Sequence, residues 1–137
     1  MLALTSKSKY GLEAVLKLAS CHGRGLVQLK DIAEHFAIPQ NYLVQVMNGL
    51  IKTGLVRTVR GKHGGYKLSK APENIALFEV LEALEGPLEL KSSGPRNRAV
   101  KEILNRAEHG LCQIFSISIA DLLLLQKDLV EDFTFQI

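Results

Sequence analysis

Apolar residues recur along most of this chain at intervals of three and four, the period of amphipathic helices. The first such run is "LTSKSKYGLEAVLKLASCHG" and predicts a helix over about Ser6 to Cys21. Tyr10, Ala14, Val15, Leu18 and Ala19 share one face; Thr5 is placed to cap it and Gly23 to end it. The run "VQLKDIAEHFAIPQNYLVQVMNGLIKTGLV" predicts two shorter helices, about Leu29–Phe36 and Gln40–Thr53. Their apolar stripes are Leu29, Ile32, Ala33, Phe36 and Leu43, Val46, Met47, Leu50, Ile51. Pro39 forbids continuation of the first helix but suits the opening of the second, so a tight turn joins them. Two short helices about such a turn have the form of a helix-turn-helix.

The period then changes. "LVRTV" alternates as an edge strand does, "RGKHGG" turns and "YKLS" returns. Gly54 is suited to the left-handed cap that ends the preceding helix. A basic hairpin fused directly to a helix-turn-helix is a winged helix. The glycines permit the tight turn, and Arg60, Lys62 and His63 are expected to face outward toward phosphate or a groove.

Helical period resumes in "IALFEVLEALEG", over about Leu77 to Glu85 with Phe78, Leu81 and Leu84 inward, before Gly86-Pro87 stops it. A polar gap, "ELKSSGPRN", separates this from a long helix over about Arg96 to Phe115. Val100, Ile103, Ala107, Leu111 and Ile114 form one stripe along that helix. Ser118-x-x-Asp121 has the form of a helix start and predicts a last short helix through Leu122–Leu125. So small a domain has little core left to cover the long stripe, so a second copy of the chain is expected to do so. The fold class is mainly α with a small β-hairpin: a winged helix-turn-helix over 1–86, and over 87–137 a linker, a dimerisation helix and a short C-terminal helix.

Composition sharpens this. At 137 residues, 47% apolar and 23% charged, the chain can bury a real core. Its net charge of +3 hides a division. Residues 1–70 carry eleven Lys and Arg against three acidic residues, a net of +8; residues 71–137 carry six against eleven, a net of −5. A basic front half points to a polyanion partner. "MLALTSKSK" becomes charged too early for a signal peptide, and "IFSISIADLLLL" is interrupted by Asp121 and too short to span a bilayer. A cytoplasmic location without membrane association is expected.

Candidate chemistry is sparse. Cys21 and Cys112 have no partner spacing for a disulfide framework or a zinc site. His109 and Cys112 lie three apart on one helical face but supply only two ligands, and a buried cysteine beside a solvated histidine is the commoner arrangement. Cys21 reads as a small buried residue. With no nucleophile–base pair, carboxylate dyad or phosphate-cradling glycine motif, no catalytic, metal or cofactor site is expected.

The stretches "LTSKSKYGLEAVLKLA", "LKDIAEHFAIPQNYLVQVMNGLIKTGLVRTVRGKHGGYKLSKAPENI", "VLEALEGPLEL" and "SISIADL" resemble the Rrf2 family of bacterial winged-helix regulators. The resemblance runs nearly unbroken from Leu4 to Leu90, and "GLVRTVRGKHGGYKL" is its most specific segment. It implies a homodimeric transcription factor that binds imperfect palindromes in double-stranded DNA. It puts Pro39, Gln40, Asn41 and Tyr42 at the major groove, Arg60 in or beside the minor groove, and Lys7, Lys9 and Tyr10 at phosphates. The chemistry of the residues agrees, since Gln and Asn amides match adenine and arginine suits a narrow, electronegative minor groove.

This sequence departs from the family pattern at three places. Ala37 stands where the helix-helix turn often has glycine. Val44 stands where glutamate often follows the Tyr-Leu pair; facing a groove it meets thymine methyls, facing inward it is core. Cluster-binding members carry three cysteines before the dimerisation helix, where this chain has "KSSGPRN", and the last ligand position falls near Asn97. The reading is therefore a homodimeric DNA-binding regulator, a repressor, without an iron–sulfur cluster, answering to a small-molecule effector or a protein partner. The rival reading is a protein-interaction module that uses the winged-helix scaffold to bind another protein, such as a metabolic enzyme.

Overall fold

A computed structural model describes residues 4–88, 90 and 96–136. Its helices are α1 (Ser6–Ser20), α2 (Leu29–Phe36), α3 (Gln40–Lys52), α4 (Leu77–Glu85), α5 (Arg98–Ile114) and α6 (Ile119–Gln136). Strands β1 (Val56–Val59) and β2 (Gly65–Leu68) form an antiparallel hairpin in which Val56 faces Leu68 and Val59 faces Gly65. Residues 91–95 of the polar gap lie outside the described residues.

The core gathers the apolar stripes that the helical period marks. Ala14, Val15 and Leu18 of α1 meet Ile32 of α2, Leu43, Val46, Met47 and Leu50 of α3, and Val56 and Leu68 of the hairpin. In α4 it is Val80, with Leu81 and Leu84, that is buried, while Phe78 is only half-buried. The approach of α1 to α4 is close enough to require Gly11, because a Cβ there would lie 2.2 Å from Cδ1 of Leu84.

Helix ends follow from backbone chemistry. After α3, Leu55 N–H donates to Leu50 O at 3.1 Å and Gly54 N–H to Ile51 O at 2.9 Å. This is a Schellman motif, with Gly54 at φ +82° in the left-handed position that glycine adopts without a Cβ penalty. After α2, Ala37 takes the corresponding left-handed position at φ 53°. The turn therefore keeps the backbone that glycine favours and carries a strain of about 1–2 kcal/mol on an alanine.

Two expectations are corrected. Thr5 precedes α1 but makes no side-chain cap; its hydroxyl donates to Glu85 at the end of α4. The last helix is not short. It runs 18 residues, Ile119–Gln136, because no glycine or proline follows its start to end it. Its opening does follow the Ser-x-x-Asp form, with Asp121 N–H donating to the Ser118 hydroxyl at 3.0 Å.

The chain after α5 returns to the winged helix. Leu77 N–H donates to Ile117 O, Phe78 N–H to Phe115 O and Ile119 N–H to Ile75 O, at 2.8, 2.9 and 2.8 Å. Ile119 is fully buried in the core. A short pairing absent from the sequence reading also appears: Val27 and Tyr66 exchange backbone hydrogen bonds of 2.9 and 2.8 Å, adding one residue of strand to the hairpin's edge.

Candidate nucleic-acid interface

The N-terminal half of α3 is its most exposed part. Pro39 takes the position before the helix, its carbonyl accepting from Leu43 N–H at 3.0 Å, so Gln40 and Asn41 stand in the first turn. Both are exposed, while Leu43, Val46, Met47 and Leu50 are buried. The 3.6-residue period then fixes what the outer face carries further along. Val44, Gln45 and Asn48 continue it, all exposed. Val44 is 38% exposed, which makes it an outward-facing methyl surface and not core. Gln45 and Asn48 went unremarked in the sequence, although their spacing from Asn41 by four and seven residues carries the signal.

The start of α1 is brought against the start of α3. The rings of Tyr10 and Tyr42 meet edge to face, centroids 5.6 Å apart and planes at 80°. This sets the exposed Lys9 and half-buried Lys7 beside the amide-bearing turn of α3. The α1 start is in turn tied to α4 by Glu85, whose Oε1 accepts from Thr5 N–H at 3.1 Å, from the Thr5 hydroxyl, and from the Ser8 hydroxyl at 2.7 Å. These bonds hold the Glu85 carboxyl below its ordinary value. The Thr5 hydroxyl contributes most; partial desolvation opposes it, while Ser8, the Thr5 N–H and the charge of Lys7 add to it.

The third region is the tip of the hairpin. Gly64 N–H donates to Gly61 O at 3.0 Å, closing a turn whose middle residues are Lys62 and His63. Gly64 is obligatory, since a Cβ there would lie 2.1 Å from Val59 O. Arg60, Lys62 and His63 are all exposed on this turn. Among the described residues, Lys9, Arg60 and Lys62 have no carboxylate within ion-pair distance; the ion pairs are Lys30–Glu34, Lys70–Glu79 and Glu102–Arg106. The hairpin tip and the starts of α1 and α3 belong to different segments of the chain. They are separate exposed regions, connected through the buried Leu55 and Val56.

The stripe of α5 is uncovered. None of its residues is buried; Ile103 is 59% and Ile114 69% exposed, Val100 and Ala107 are exposed and Leu111 is half-buried. On α6, Leu124, Leu125 and Leu129 are exposed as well. Asn97 caps α5, its Oδ1 accepting from Ala99 N–H at 2.9 Å and Val100 N–H at 3.2 Å. His109 bonds Gln113 at 3.3 Å, and Cys112 is half-buried. Among the described residues no three His, Cys, Asp or Glu side chains are grouped to hold a metal ion, and no helix is long and apolar enough to cross a membrane.

Comparison with known proteins extends the picture. A family model described as "Rrf2: Iron-dependent Transcriptional regulator" matches residues 4–123. The HTH-type transcriptional regulator CymR of Bacillus subtilis is 35% identical over 114 residues, covering 74% of this chain and 83% of that protein. The HTH-type transcriptional regulator NsrR of Bacillus licheniformis is 36% identical over 113 residues, covering 76% and 79%. The structure of CymR, the global cysteine regulator of B. subtilis, superposes with a TM-score of 0.85 at 31% identity, covering 91% of this chain and 98% of that one.

Proposed function

Since the chain belongs to the Rrf2 family of transcriptional regulators, we propose that it is a homodimeric, sequence-specific repressor that binds an imperfect palindrome and holds no iron–sulfur cluster. The observation that carries this is the exposed face Gln40, Asn41, Val44, Gln45 and Asn48 on α3, with unpaired cations on either side of it in sequence. The amides suit adenine edges and Val44 suits thymine methyls in a major groove. Lys7 and Lys9 take phosphates, and Arg60, Lys62 and His63 reach the minor groove or its rim. Two copies joined along α5 present two such faces, and half-sites spaced by one helical turn, about 34 Å, match a two-fold dimer.

The donor set does not fit a cluster. The chain has only Cys21 and Cys112, one at the end of α1 and one within α5, and Asn97 is engaged as a helix cap. Thiolates are what hold iron in such clusters. No step in this function is routed through iron. Such a regulator works in the cytoplasm, where its DNA is.

Binding to a selected palindrome, followed by fluorescence anisotropy, tests the assignment. Gln40→Ala is expected to lose about 1–3 kcal/mol of base discrimination. Arg60→Ala is expected to weaken specific binding, and the parent's affinity should fall steeply with salt as counterions are released. Unchanged affinity and base preference in both variants would remove the DNA assignment.

A further inference from the structure

A second cationic region lies at the base of the hairpin, away from its tip. There the end of α1, the loop of residues 22–26 and both strands enclose a cavity of about 520 Å³. His22, Arg57, Lys67 and Ser69 line it, with Leu26 and Val59 among its apolar walls. Among the described residues no carboxylate lines it. The volume falls within the range of small-molecule sites.

Three features of these walls are unexplained by folding. Arg57 and Lys67 stand directly opposite each other in the strand ladder. Like charges in that position repel, and the cavity between the hairpin and the loop is where an anion would relieve them. Among the described residues neither has a carboxylate within ion-pair distance. The Ser69 Oγ, third, is shut off from solvent and has no hydrogen-bond partner. A buried hydroxyl without a partner is destabilising unless something else supplies one.

We propose that this cavity binds a small organic oxyanion, a carboxylic acid or acid phosphate with a short apolar body. Its charged group lies between Arg57 and Lys67, and the Ser69 hydroxyl, closed off without a ligand, turns about χ1 to donate to it. Its apolar part rests on Leu26 and Val59. The ligand ties the loop after α1 to the strands that carry Arg60, so occupancy changes the setting of the hairpin tip. This last consequence, control of DNA affinity, rests on the DNA-binding reading above; the site itself does not.

The same cations could serve DNA phosphate, and the experiment separates the two sources. Full-length ¹⁵N-labelled protein without DNA is titrated with citrate and with inorganic phosphate at constant ionic strength. Saturable shifts at Arg57, Lys67 and Ser69 are expected with at least one of them. Arg57→Gln and Lys67→Gln should each weaken that binding about tenfold, the loss of one charge-assisted hydrogen bond. Ser69→Ala should also weaken it while leaving the fold at least as stable, because it removes an unpartnered buried hydroxyl. Shifts that stay linear, or that centre elsewhere, overturn the site. So does a pair of Gln variants that lose DNA affinity with no saturable anion binding in the parent, which assigns these cations to DNA. Saturable binding in a protein that fails to bind DNA leaves the site standing and removes only the regulatory consequence.

Discussion

Glu85 gathers the donors that open α1 onto a single carboxylate, eighty residues away in the chain. Ser8 is fully buried and its hydroxyl has this carboxylate as acceptor, so Glu85→Ala leaves a buried donor unsatisfied. The expected loss is about 1–3 kcal/mol at neutral pH, read from urea denaturation. Because the folded carboxyl titrates below its ordinary value of 4.5, the contribution of its charge is present above that value and lost as pH falls through the folded one. The stability gap between parent and Glu85→Gln should therefore be constant above about pH 5.5 and close in more acid solution. A gap that widens with acid contradicts the assignment. None of this was legible in the sequence, where Thr5 read as a helix cap. Spacing reports neighbours along a helix, and this bond joins residues eighty apart in the chain.

Elements were more legible than their partners, and α5 shows both sides. Its stripe was visible as intervals of three and four, and its exposure in a single chain supplies the physical reason for a second copy. Burying Ile103 at a two-fold seam places its two copies near each other, so Ile103→Asp brings two unpaired charges into an apolar interface. That costs several kcal/mol and should yield monomer in sedimentation, with weakened binding to the full palindrome but a normal monomer fold. A variant as dimeric as its parent shows that α5 is not the seam. The helix-turn-helix and hairpin were equally legible, since period, proline, glycine and alternation agree there at every position. The length of α6 was not. "LLLL" has no polar side, so nothing in its period said whether the helix continued, and Leu124, Leu125 and Leu129 are exposed on it. The Val27–Tyr66 pairing was invisible because a strand of one residue has no alternation to read.

At the scale of the whole molecule, charge and donor placement divide the chain in the same way. The +8 half holds every residue proposed to face DNA and both proposed anion-binding cations, while the −5 half holds the whole of α5 and α6. A net charge of −5 disfavours contact of the rear half with a polyanion, in keeping with the proposal that it meets a second subunit. What the rear half lacks is a set of thiolates, since Cys112 is its single cysteine. The family description carries the word iron, yet Cys112 lies far along α5 from the segment before it, and Cys21 belongs to the winged helix. Asn97 caps α5 with its side-chain oxygen, a role worth about 1 kcal/mol to that helix. The protein should accordingly purify colourless under anaerobic conditions, and reconstitution with ferrous iron and sulfide should add no stoichiometric visible absorption. Cys21→Ser with Cys112→Ser should bind the palindrome with the parent's affinity, because Cys21 ends α1 and Cys112 lies within α5, outside α3 and the hairpin tip. A brown, iron-bearing preparation that binds DNA differently from its iron-free form would overturn the cluster-free reading. It would require ligands from outside this donor set.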